Sequence, residues 1–119
     1  MKYIFAALLL LAAAGCVMTP QQIVEEGRRV TLRSVLDPQA LAGCLIRNAE
    51  AKSGVIFGQA RPGKTTGTTE VIIRAGGQGP DTLAVANIAS VGTGAEATIW
   101  LSPNLFGERQ FEQDLIAGC

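Results

Sequence analysis

Two periods of hydrophobicity alternate along the chain. From Asp37 to Gly54 the apolar residues return every three or four positions: Leu41, Cys44, Leu45 and Ala49 share one face, and Arg47, Glu50 and Lys52 fall outside it. Asp37 as N-cap, Pro38 at the first helical position and Gly54 as the stop predict a helix there. A closing helix is expected in LFGERQFEQDLIAGC, with Phe111, Leu115 and Ile116 on one side. The other apolar runs are short, and several alternate with polar residues. Arg29–Leu36, Val55–Arg61, Thr69–Gly76, Thr82–Ser90 and Ala95–Ser102 read as strands. The last four are joined by PGKTTGT, GQGPD and VGTG, all rich in turn residues, which predicts an antiparallel meander. Ahead of the first strand, Thr19 can cap a short helix with Pro20 at its first position, Gln22 closing a capping box and Gly27 ending it.

The main elements therefore run β-α-β-β-β-β-α. That order predicts an α+β domain of two layers, an antiparallel sheet of four to five strands with two helices on one face. It resembles one repeat of the TATA-box-binding-protein-like fold, of which helix-grip proteins are an enlarged version. The resemblance is one of element order and implies no function.

The N-terminus follows a different logic. Lys2 precedes an unbroken apolar run from Tyr3 to Ala14 that ends in small residues, the pattern of an export signal. The run is too short to span a bilayer, which needs about 20 apolar residues. Leu11-Ala12-Ala13-Ala14-Gly15-Cys16 then resembles the lipobox of bacterial lipoproteins, with Ala13 where that family prefers a larger aliphatic residue. The resemblance implies that Cys16 becomes the acylated first residue of the mature protein. Val17 rather than Asp follows it, which in the enterobacterial sorting pattern favours the outer membrane. The expected organisation is a signal peptide over residues 1–15, a lipidated N-terminus and tether over 16–28, and one α+β domain over 29–119.

Composition narrows the chemistry. Losing Lys2 with the signal leaves nine basic and ten acidic side chains, without the basic patch that nucleic-acid binding requires. Histidine is absent, which removes the commonest metal ligand and the commonest general base, and with them any Ser-His-Asp triad. With Cys16 assigned to lipid, Cys44 and Cys119 remain as an even pair in an oxidising compartment, so a disulfide is expected. It would close a loop of roughly 75 residues, worth on the order of 4 kcal/mol. The alternative is two free thiols, one in a helix and one at the terminus. Two cysteines without histidine make an incomplete zinc set, so no metal is expected.

One motif invites a sharper reading. GQARPGKT matches the phosphate-loop pattern at Gly58, Gly63, Lys64 and Thr65. A working phosphate loop opens a helix whose N–H groups converge on the phosphates. Here Thr66-Gly67-Thr68-Thr69-Glu70-Val71-Ile72-Ile73 follows, where glycine and β-branched residues favour a strand. Pro62 also removes a donor from the cradle. ATP, moreover, is essentially absent outside the cytoplasmic membrane. The match is read as a fortuitous hairpin connection, with no nucleotide and no cofactor bound.

Trp100 lies on the more polar face of its strand, with Glu96 and Thr98, while Ala97, Ile99 and Leu101 form the better core face. It is expected on the open side of the sheet near Ile72 and Arg74, where it would contact a partner; the alternative is that the tether or first strand covers it. The lipobox, AGCLIRNAE around Cys44, WLSPNLFG and the terminal GC together resemble small lipoproteins of proteobacteria, a resemblance that implies no activity. The reading reached is a membrane-anchored, non-enzymatic periplasmic domain that contacts another envelope protein or the cell wall. The alternative is a carrier of a small apolar ligand or lipid in a helix-grip-like cavity.

Overall fold

The computed structural model describes residues 18–76, 81–103, 105 and 107–119. The predicted signal segment, the expected acylation residue Cys16 and Val17 lie outside them, as do positions 77–80 of the GQGPD connection and Asn104 and Phe106 of WLSPNLFG. The elements are α1 (Pro20–Glu26), β1 (Arg28–Ser34), α2 (Pro38–Lys52), β2 (Ile56–Pro62), β3 (Thr69–Ala75), β4 (Asp81–Val91), β5 (Gly94–Leu101) and α3 (Glu108–Ile116). Five antiparallel strands form one sheet in the order β1-β5-β4-β3-β2. The α+β class and the antiparallel meander follow the sequence pattern.

The alternation of side chains along each strand decides which face receives which helix. On β5 the residues Ala95, Ala97, Ile99 and Leu101 are buried, and they join Ala84, Ala86 and Ile88 of β4 and Val71 and Ile73 of β3 in one core. Leu41, Ala42, Leu45 and Ala49 of α2 and Phe111 and Leu115 of α3 close that core from the same side. Burial of a side chain the size of Leu115 or Phe111 contributes about 2 kcal/mol each. The many alanines on β4 and β5 let α2 sit close to the sheet. At the sheet's edge the approach is closer still: a Cβ on Gly58 would stand 2.8 Å from Cγ1 of Ile46.

The opposite face differs from the expected two-layer arrangement. The expected tether of residues 16–28 holds the short helix that its capping residues predict, and from Met18 onward the chain packs on the sheet. Thr19 and Gln22 make the reciprocal capping box, through Gln22 N to Thr19 Oγ1 at 3.2 Å and Thr19 N to Gln22 Oε1 at 2.9 Å. The short helix that follows packs Ile23 with Met18, Val85 and Trp100. A helix of seven residues is marginal alone. It persists because Ile23 is buried, because the residue ahead of its cap is bonded to the sheet, and because its C-terminal end packs closely on β5. Thr82 N donates to Met18 O at 3.1 Å, and Gly27 sits so near the Leu101 carbonyl that a Cβ there would stand 2.6 Å from its oxygen.

The C-terminus is fastened as firmly. Cys44 and Cys119 form the expected disulfide, with a Cα separation of 5.8 Å and a sequence separation of 75. Asn48, one turn after Cys44, sends Nδ2 to the carbonyl oxygens of Leu115 at 2.8 Å and Ala117 at 2.9 Å. These are unpaired carbonyls at the end of α3, so the amide of α2 acts as its C-terminal cap in trans. Lys52 pairs with Asp114, and the Ser34 hydroxyl donates to the Cys119 carbonyl. Arg28 bridges Glu108 at 2.7 Å and Glu112 at 3.1 Å, tying the start of β1 to α3, and these two carboxylates hold the guanidinium's pKa above its ordinary value.

Two outcomes are expected. Asn48→Ala should cost about 1 kcal/mol in urea unfolding by leaving the two carbonyls uncapped. Asn48→Asp should cost more, because a carboxylate would face the negative end of the α3 dipole; an aspartate variant as stable as the alanine one would sink the capping account. The second concerns acid. The hydrogen bond from Lys52, then that from Gln110, hold the Asp114 carboxyl below the usual carboxylate range. A carboxyl depressed on folding stabilises the fold above that range, and the contribution is lost as pH falls through the folded-state value. Asp114→Asn should therefore shift the unfolding midpoint at neutral pH and converge with the parent in strong acid.

Candidate functional site

The segment that matched a phosphate loop is a hairpin. Gly58 lies within β2, and Gly63, Lys64 and Thr65 lie in the turn between β2 and β3. The turn bonds to itself: Gly63 N donates to Thr68 O at 2.9 Å, Thr68 N to Thr65 O at 3.2 Å, and Thr68 Oγ1 to Thr65 O at 2.6 Å. Backbone groups that a phosphate would need are thus partly spent, and β3 rather than a helix follows. Packing accounts for the glycines. A Cβ at Gly63 would stand 2.0 Å from Thr68 Oγ1, and Gly58 faces Ile46.

The same turn nevertheless borders an open groove of about 560 Å³ between α1 and the β2–β3 hairpin. Thr19, Gln21, Val24 and Glu25 form its helix wall, Arg61 and Lys64 its hairpin wall, and Glu70 and Val85 its floor. A smaller recess of about 150 Å³ continues it past Asn87 and Thr65 to Trp100. Cross-strand register explains the floor. Arg61, Glu70, Asn87, Thr98 and Thr31 stand side by side across all five strands, as do Gln59, Ile72, Val85, Trp100 and Arg29 in the next row. α1 crosses over the second row and leaves the first open.

Charge in the groove is uneven. Arg61 is neutralised by Glu70, through Nε at 2.7 Å and Nη2 at 2.5 Å. Lys64 has no ion-pair partner among the described residues. Val24 is a large exposed apolar side chain on the helix wall. Glu25 on the helix wall likewise has no ion-pair partner among the described residues, so the groove offers an apolar lip at Val24 between a carboxylate and an ammonium group, with Trp100 at its far end, which suits a ligand group that pairs both charges beside an aliphatic side chain.

Each residue predicted for a partner contact can now be placed. Trp100 is half-buried, covered by the N-terminal segment rather than standing free. Ile72 is only 1% exposed, so it cannot form part of an open contact surface. Arg74 is half-exposed but one row further along, away from the groove. What sequence reasoning missed was Val24 and Lys64 as neighbours. The available signal was the capping box at Thr19, which announced a helix that had to be laid on some face of the sheet. Among the described residues no group of three or more Cys, Asp or Glu is placed to hold a metal ion, and no helix is long and apolar enough to cross a membrane.

Hairpin and phosphate cradle make opposite forecasts for two substitutions. Gly58→Ala should destabilise by about 1–3 kcal/mol through the clash with Cγ1 and Cγ2 of Ile46, and combined with Ile46→Ala, which removes both atoms, it should cost less than the two single substitutions added. Lys64→Ala should leave thermal stability within about 0.5 kcal/mol of the parent. A neutral Gly58→Ala would remove the packing account of this glycine. No protein-family model matches the sequence, and comparison with curated proteins finds no match.

Proposed function

We propose that the chain is the precursor of a lipid-anchored envelope protein, acylated on Cys16 after removal of residues 1–15, whose folded domain is a non-enzymatic interaction module. Its contact surface in this reading is the groove beside α1, and its partner is another envelope protein or the cell wall. The observation that carries the reading is the groove's composition: exposed Val24, the half-buried Trp100 and the unpaired Lys64 around one open cleft. An outer-membrane location facing the periplasm is the form the Val17 sorting position favours.

The carrier alternative draws no support from the packing. A helix-grip cavity would lie between α2, α3 and the sheet, where Leu41, Leu45, Ile88, Ile99 and Leu101 are each at most 1% exposed and pack on one another.

Intact mass of the exported protein is expected to correspond to residues 16–119 plus acylated glycerol, with Cys16→Ser abolishing the lipid. A mature mass lacking lipid in the parent would end the anchored reading. For the groove, a photo-crosslinking amino acid at Val24 should give a discrete adduct in intact cells, weakened several-fold by Lys64→Glu. Adducts indifferent to Lys64, and equal to those from Val35 at the far end of β1, would remove the groove as the contact surface.

A further inference from the structure

The short sequence distance from Cys16 to Met18 constrains how the domain can stand. Only Val17 separates Cys16 from Met18, a reach of at most about 7 Å for two residues. Met18 is no flexible leash. It is 6% exposed, its N–H donates to Asp81 Oδ1 at 3.3 Å, and its carbonyl accepts from Thr82 N at 3.1 Å. Lengthening the tether by peeling it away would break both bonds and uncover Ile23. A lipid on Cys16 would therefore hold one end of the sheet at the bilayer surface.

That end has a distinct chemistry. Met18 beside Thr82 is in the same row as Arg74 on β3 and Phe57 on β2. At about 4.8 Å per strand, Phe57 is about 15 Å from Met18. Phe57 is 47% exposed and Val55, whose carbonyl accepts from Gly76 N, is 56% exposed. Arg74 between them and Met18 has no ion-pair partner among the described residues, and Arg29 stands likewise unpaired one row back. Exposed apolar side chains beside free guanidinium groups suit the boundary of acyl chains and phosphates.

We infer that the strand-end surface carrying Val55, Phe57 and Arg74 lies against the lipid surface, so that the domain is docked on the bilayer rather than swinging from it. The inference rests on the acylation of Cys16 proposed above. Docking fixes the direction of the rest: the β4–β5 turn, with Val91 and the 92% exposed Val35, points away from the bilayer by about 30 Å along β4.

The test uses the full chain, exported and lipidated, in vesicles of phosphatidylethanolamine and phosphatidylglycerol at three to one. Phe57→Trp and Val35→Trp are each placed in a Trp100→Phe background and read by quenching from lipids brominated near the glycerol. Should Trp100→Phe impair folding, the same pair is read with Trp100 in place, as the change relative to the parent. The expected result is several-fold stronger quenching at position 57 than at 35. Equal or absent quenching at both, in protein whose mass shows the acyl group, overturns the docked orientation and leaves the anchor standing. A missing acyl group overturns anchor and docking together. Concentration-dependent self-association that shields position 57 from bromine would assign the patch to a second copy and overturn the lipid assignment.

Discussion

A single sheet with two apolar surfaces must be covered twice, and the rest of this structure follows from that requirement. β4 sits in the middle, buried on one side through Ala84, Ala86 and Ile88 and on the other through Val85. Period-two alternation makes these two sets inseparable, because no register exposes one without burying the other. The first face is broad and takes α2 and α3. The second is narrow, restricted to the row around Val85, Ile72 and Trp100, and seven residues of helix suffice for it.

Coverage at both ends then brings both termini under constraint. α3 is short, and it is held to α2 by the Cys44–Cys119 bond, the Asn48 amide and the Lys52–Asp114 pair, all within two turns of one another. α1 is shorter still and is held by Met18 at one end and Gly27 at the other. Neither helix has enough residues to persist without such links. The surface between α1 and the β2–β3 hairpin stays open because α1 crosses the sheet over Val85 and Trp100 and leaves the row of Arg61, Glu70 and Asn87 uncovered. An incomplete cover leaves a cleft, with Lys64 on its hairpin wall and Glu25 on its helix wall, neither in an ion pair among the described residues.

Much of this was legible beforehand, for reasons that are local. Asp37 and Pro38 start α2 where a cap and an N1 proline belong, and the face of Leu41, Cys44, Leu45 and Ala49 is the face that is buried. Ala97, Ile99 and Leu101 were assigned to the core by alternation alone. Cys44 and Cys119 pair as their even number after Cys16 implies. Even the capping box at Thr19 was visible, since all its participants lie within four residues.

What local pattern determined, then, was the type, order and inward face of nearly every element, because caps, turns and hydrophobic period are short-range properties of the chain. Tertiary structure alone decided the pairing order β1-β5-β4-β3-β2, the use of residues 18–26 as a lid rather than a tether, and the burial of Ile72. It also decided that Asn48 would cap a helix 67 positions away and that Val24 and Lys64 would face one cleft. These are contacts between segments remote in sequence. They arise when the second face of the sheet takes the nearest apolar segment able to cover it, and no period within either segment records that choice.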